Sequence, residues 1–218
     1  MSEASTKDLI LDAAEQQFAD KGFAGTSLRA IMKNADVNMA SIHYHFGSKE
    51  ALIEAVVRRI AEPINRERLA LLDDLEASHP EGELPLRGVI VAFLTPVKRL
   101  YAHPRGRTFF PRLMGRMTME AGEELSPVMA SIFGETGARF MAALGRAVPH
   151  LDSEEVFWRL HFAIGAMAFA IAAPGIHHHN VHSITEPPDP GTSFDRLVNF
   201  VTAGMEAPAP TVTRKANK

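Results

Sequence analysis

Apolar positions recur every three to four residues along almost the whole chain, which is the spacing of helices and not of strands. Leu9, Ile10, Ala13, Ala14 and Phe18 form one stripe, with Asp8, Asp12, Glu15 and Asp20 on the other side. Ser5 followed by Asp8 has the form of a capping box and starts this helix near residue 6. Lys21-Gly22 supplies a terminal cation and then a residue that accepts positive φ, so the helix stops there. Thr26 is the expected N-cap of a second helix, with Leu28, Ile31 and Met32 facing inward. A third short helix covers 38–46, where Ile42 and Phe46 lie four apart on the inner face. Gly47-Ser48 separates it from a long helix running from about residue 49 into the seventies. Pro63 should kink or re-start that helix, because it removes a donor and crowds the preceding turn.

His79 to Pro85 reads as a linker. Beyond it, 86–102 is helical but broken by Pro96, and 105–119 is irregular and rich in Phe and Met. Residues 124–147 and 153–173 are helical, the second capped by Asp152 with Glu155 and ended by Pro174-Gly175. A loop rich in His and Pro fills 177–192, and 193–205 make a last helix. The expected fold is all-α, an N-terminal three-helix helix-turn-helix domain joined to a C-terminal helical ligand-binding and dimerisation domain. Its expected boundaries are 1–50, 51–206 and a disordered tail at 207–218.

Composition narrows the function. No run of roughly 18 apolar residues exists to span a bilayer, and the N-terminus lacks the order of a signal peptide, so a cytoplasmic protein is expected. The absence of cysteine excludes disulfides, thiolate metal sites and cysteine nucleophiles. A net charge of −3 argues against a generally basic nucleic-acid binder. Residues 21–49 nevertheless carry Lys21, Arg29, Lys33 and Lys49 against Asp36 alone, a local +3 where phosphates would lie.

Two short helices joined by a tight turn, the second with an outward polar and aromatic face, make a helix-turn-helix whose second helix enters the major groove. Asn38, Met39, Ala40, Ser41, His43, Tyr44 and His45 occupy that second helix. Small residues permit close approach, Ala40 can touch a thymine methyl, Met39 can touch a base edge, and Ser41 can bond a base or phosphate. His43, Tyr44, Lys49, Ser27 and the Thr26 hydroxyl are candidate phosphate contacts, and Arg29 can take guanine in bidentate fashion. With Gly25, Thr26-Ser27, Ile31, Ala35-Asp36-Val37, Ile42-His43-Tyr44-His45-Phe46 and Ser48-Lys49-Glu50, residues 6–54 resemble the DNA-binding domain of the TetR/AcrR family of bacterial regulators. Two positions depart from that pattern. Asp36 stands where the turn glycine is usual, and His43 where a phosphate-binding Tyr is usual.

The C-terminal half is read for control. Phe157-Trp158-Arg159-Leu160-His161-Phe162 with Gly165, together with the 139–151 stretch, resembles a proteobacterial TetR subgroup that includes PsrA-type, fatty-acid-responsive regulators. A helix-turn-helix monomer reads too few bases for one genomic site, so a homodimer is expected. Its interface is placed on Phe162, Gly165, Ala166 and Phe169 and on the stripe Phe194, Leu197, Val198 and Val201. Phe93, Val97, Phe109, Phe110, Met114, Met117, Phe133, Phe140 and Met141 are the candidate walls of an apolar effector pocket, with Arg112 or Arg116 as possible carboxylate anchors. His177-His178-His179 with His182 could chelate a metal, but no carboxylate sits beside them at helical spacing, and a solvated loop is preferred. No HExxH motif, nucleophile–base pair or cofactor motif is present, so neither an enzyme nor a resident metal is expected. The reading is a repressor of a double-stranded DNA operator, released by a small apolar, fatty-acid-like effector, with no membrane partner. A metal-responsive regulator and a helical metal-binding enzyme built on the His177–His182 loop stand as alternatives.

Overall fold

A computed structural model describes residues 5–102, 110, 112–113, 115–117, 126–172 and 190–209. Its helices are α1 (Thr6–Lys21), α2 (Leu28–Ala35), α3 (Met39–Phe46), α4 (Lys49–Ser78), α5 (Leu86–Ala102), α6 (Ser126–Ala147), α7 (Ser153–Ala172) and α8 (Pro190–Glu206). Phe110, Arg112, Leu113 and 115–117 are also helical, where the sequence reads as irregular. No strand occurs among the described residues. The candidate pocket walls Phe109 and Met114, the loop holding His177–His182, and residues 210–218 lie outside them.

Local chemistry explains the helix ends. Ser5 caps α1 by accepting from the Asp8 N–H, and Gly22 closes it at φ 79°. Asp152 accepts from the Glu155 N–H at 2.8 Å at the start of α7. The cap of α2 is Ser27 and not Thr26, since the Ser27 hydroxyl accepts from the Ala30 N–H. Thr26 is buried, and its hydroxyl is directed instead at the carbonyls of Gln17 (3.0 Å) and Gly22 (2.8 Å). The chain returns so closely there that a Cβ on Gly25 would lie 2.4 Å from the Lys21 carbonyl oxygen.

Neither proline divides its helix. α4 runs unbroken through Pro63 and α5 through Pro96. One lost backbone bond is outweighed because the flanking turns are packed: Val57, Ala61, Ile64 and Asn65 are buried around Pro63, and Leu94 and Val97 around Pro96.

Two apolar clusters result. The first joins α1, α2 and α3 to the start of α4 through Ile10, Phe18, Ile31, Ile42, Leu52 and Val56, and takes in Leu113 and Ile132 from farther along the chain. The second packs α5 against α4, α6 and α8, with Leu72, Val89, Phe140, Leu144, Met167 and Val201 at its centre. α4 contributes to both, the first through Ala61 and the second from Ile64 onward. α1 departs from its sequence reading at two positions. Leu9 is exposed, and Glu15 is buried, where it pairs with Arg59 of α4.

Candidate nucleic-acid interface and effector cavity

α2 and α3 meet at Asp36, whose φ of 52° and ψ of 46° place it in the left-handed region. It is the one non-glycine with positive φ among the described residues. Asp tolerates this conformation better than most side chains, so the turn forms without glycine. Asn38 then caps α3, its Oδ1 accepting from the Ser41 N–H at 2.8 Å and the Ser41 hydroxyl at 3.0 Å. Asn38 is thereby committed to the helix start, and Ser41 must exchange this bond to reach a base or phosphate.

α3 buries only Ile42 fully. Ala40 and His43 are exposed, Met39, Ser41 and His45 are half-buried, and Tyr44 stands 86 % exposed, its ring edge-on to His45 at 5.1 Å. The His43 ring nitrogen Nδ1 lies 3.0 Å from the Gly47 carbonyl, which orients the imidazole along the helix end. Ser27 and Arg29 are exposed on α2, and Lys49 opens α4 directly after the Ser48 cap. Of the eleven residues read as DNA contacts, Thr26 alone is buried, its one hydroxyl hydrogen directed at the carbonyls of Gln17 in α1 and Gly22 just after it.

The body holds a narrow apolar cavity of about 20 Å³ where the two clusters meet. Val97, Phe110, Met117 and Phe133 line it, together with residues of α4 that the sequence did not single out: Val57, Ile60, Ala61, Ile64 and Arg68. Phe93 and Phe140 pack edge to face at 5.1 Å in the second cluster, with Met141 against it, and do not line this cavity. Arg112 and Arg116 both reach Asp20. Arg112 pairs with Asp20 of α1 at 2.7 Å, and Arg116 donates to the Asp20 carbonyl at 3.4 Å.

Arg68 was not singled out from the sequence, although Ile64 and Leu72 four residues to either side place it on the apolar stripe of α4. Here it is 5 % exposed, Nε donates to the Phe93 carbonyl at 2.8 Å, and Cζ sits 3.9 Å from the centre of the Phe93 ring. Burial pulls its pKa down to about 10.

On the expected interface the two helices behave differently. Phe162 (67 % exposed), Gly165 and Phe169 (55 % exposed) lie on the open side of α7, joined by Phe157, Trp158 and His161, and Ala166 is half-buried. Phe194, Leu197, Val198 and Val201 are instead buried in the chain's own second cluster, against α5 and α7. Their stripe is spent on the internal core, and the apolar side chain that α8 leaves in solvent is Phe200, 71 % exposed. Arg159 of the Phe-Trp-Arg run closes α8: Nη1 donates to the carbonyls of Gly204, Met205 and Ala207, and Nη2 to that of Pro208. Among the described residues no group of three or more His, Asp or Glu is placed to hold a metal, and no helix is long and apolar enough to cross a membrane.

Two family models match the chain. "Bacterial regulatory proteins, tetR family" covers residues 10–56, and "Tetracyclin repressor-like, C-terminal domain" covers 91–204, just over half of the sequence. The "Probable HTH-type transcriptional regulator YttP" of Bacillus subtilis (strain 168) is 50% identical over 58 residues, 27% of this chain and 28% of that protein. The icaADBC negative transcriptional regulator IcaR of Staphylococcus aureus is 39% identical over 59 residues, 27% of this chain and 32% of that protein. The likeness thus spans less than a third of each curated relative. A solved transcriptional regulator from Aquifex aeolicus VF5 shares the fold, with TM-score 0.58 at 19% identity over 91% of this chain and 99% of that one.

Proposed function

Because the chain belongs to the TetR family of bacterial regulatory proteins, we propose that it is a homodimeric, DNA-binding transcriptional repressor, working in the cytoplasm and released from its operator by a small apolar effector. One observation carries the reading. An eight-residue helix, α3, leaves Ala40, His43 and Tyr44 in solvent beside exposed Arg29, while the local charge around it is positive in an acidic chain. A helix that short, with its outer face so exposed, is a poor core element and a good groove-reading one.

In this reading Arg29, Met39, Ala40 and Ser41 face bases, while Ser27, His43, Tyr44 and Lys49 hold phosphates. Asn38 positions α3, and His45 supports Tyr44. Residues 1–50 carry the DNA contacts, and 51–206 carry effector binding and dimerisation. The two heads must sit about one helical turn apart on the operator, so a modest rotation between them abolishes specific binding. The cavity is suited to cause one, because its walls come from both apolar clusters, and a ligand that parts them shifts the head against the body. The exposed aromatic face of α7 with Phe200 of α8 is the surface offered to a second copy. The resemblance of the 139–165 stretch to PsrA-type regulators favours a fatty-acid-like effector.

The test is operator binding. The purified protein is titrated on the DNA upstream of its own coding region and on random DNA, at several salt concentrations. Preferential binding whose logarithm falls steeply with the logarithm of salt is expected. Equal affinity for the two DNAs would sink the reading.

A further inference from the structure

We propose that Arg68 is the anchor for an anionic head group, so that the cavity takes an amphipathic organic anion in preference to a neutral apolar molecule. The inference rests on the reading of this cavity as the effector site. Arg68 is the one polar side chain on walls otherwise formed by groups such as Ile64, Val97, Phe110, Met117 and Phe133.

A buried cation is expected to have a counter-ion, because taking an isolated charge out of water is costly. Arg68 forms no ion pair with any described residue. The neighbouring acids of α4 are engaged elsewhere: Glu62 with Arg58, Glu67 with Arg99, and Asp73 and Glu76 with Arg139. What holds the guanidinium is neutral, namely the Phe93 carbonyl, the Phe93 ring and a 3.8 Å approach of Nη2 to the Met167 sulfur. These orient the group, and no carboxylate among the described residues compensates its charge. Nη1 makes no hydrogen bond to a described residue, and the planar fork suits a carboxylate with two parallel N–H donors.

The cavity is too small for a ligand as it stands, so an acyl tail must part the walls. The unbranched, pliable side chain of Met117 is suited to yield. Binding would therefore supply the missing charge at one end and pry at the seam between the clusters at the other.

The test compares decanoate with 1-decanol by titration calorimetry on the full-length protein, its Arg68→Met variant and its Arg68→Lys variant. Wild type should bind decanoate at least about tenfold more tightly than decanol. Arg68→Met should bind both alcohol and acid like decanol, and Arg68→Lys should keep part of the preference. Equal binding of the two probes by wild type, or a preference that survives Arg68→Met, overturns the anchor while leaving an apolar effector in place. Binding of neither probe overturns the anchor and the apolar-effector reading together. The wild-type comparison decides the matter even if Arg68→Met folds poorly.

Discussion

Arg112 donates to Asp20 at 2.7 Å and so ties the segment carrying cavity residues Phe110 and Met117 to the last turn of α1. Both side chains are more than a third exposed, so the pair itself contributes at most about 1 kcal/mol. Its value lies in geometry, since a ligand that displaces the segment pulls on the head through this link. Arg112→Gln and Asp20→Asn should leave thermal stability nearly unchanged. They should weaken the effect of saturating decanoate on operator affinity by about fivefold. A double variant no worse than either single one, in a fluorescence-anisotropy titration, is the expected sign that the two act as one connection.

Thr26→Val should lower unfolding free energy by about 1–2 kcal/mol, because the buried hydroxyl shared by the Gln17 and Gly22 carbonyls is lost. The salt slope of operator binding should stay as in wild type. Tyr44→Phe should do the reverse, leaving stability intact and weakening binding. Chemical denaturation alongside salt-dependent gel shifts separates the two, and a reduced salt slope for Thr26→Val would return that hydroxyl to the phosphates.

Asp36 combines a left-handed backbone with the sole carboxylate of the 21–49 stretch. Asp36→Asn keeps the side chain's tolerance of that conformation and removes the negative charge, so operator affinity should rise at low salt with little change in melting temperature. Asp36→Val should destabilise by about 1–2 kcal/mol through the strained φ. Calorimetric melting of the two variants distinguishes conformation from charge.

Burial lowers the Arg68 pKa to about 10. Below about pH 9 folded and unfolded chains both hold that proton, so Arg68 makes stability neither rise nor fall there. Only above about pH 10 does the unfolded chain bind more protons, and stability from this group then grows with pH. Urea unfolding of wild type and Arg68→Met should therefore differ by a constant amount from about pH 6 to about pH 8, with the variant equal or more stable. A difference that changes across this range would mean that another group, and not Arg68, governs it.

Phe162→Asp and Phe200→Asp should leave the fold intact and drive the protein to monomer, since both rings lie in solvent within one chain. Val198→Asp should unfold it, because Val198 is buried in the second cluster. Sedimentation with circular dichroism reads both outcomes, and a Phe162→Asp protein that remains dimeric would move the interface off α7.

Helix ends set by local bonds were legible to nearly the residue, in the head and in the body. Ser5, Gly22, Gly47 and Asp152 each work through bonds within three or four positions, so their short-range chemistry stands in the sequence. Thr26 and Ser27 show where that fails. Either could cap α2, and the choice is made by the distant Gln17 carbonyl that captures the Thr26 hydroxyl. The prolines do not end their helices for a related reason, as the cost of a missing donor is local while the packing that overrides it is not. The α8 stripe was read as a dimer surface and packs in the chain's own core, since periodicity does not say whether the burying surface belongs to the same chain. Arg68 was overlooked although it lies on the apolar stripe of α4, with Ile64 four residues before and Leu72 four after, where Arg58 has Glu54 and Glu62.

α4 has a practical consequence for anyone who would recombine such proteins. The first core is completed by Leu52, Ile53, Val56, Val57 and Ala61, all beyond residue 50. A graft that joins this head to a foreign body at the end of α3 would discard the floor on which α1 and α3 rest. The transferable unit ends past Ala61, inside an unbroken helix, so a working chimera must match the two parent helices in rotational phase as well as in length.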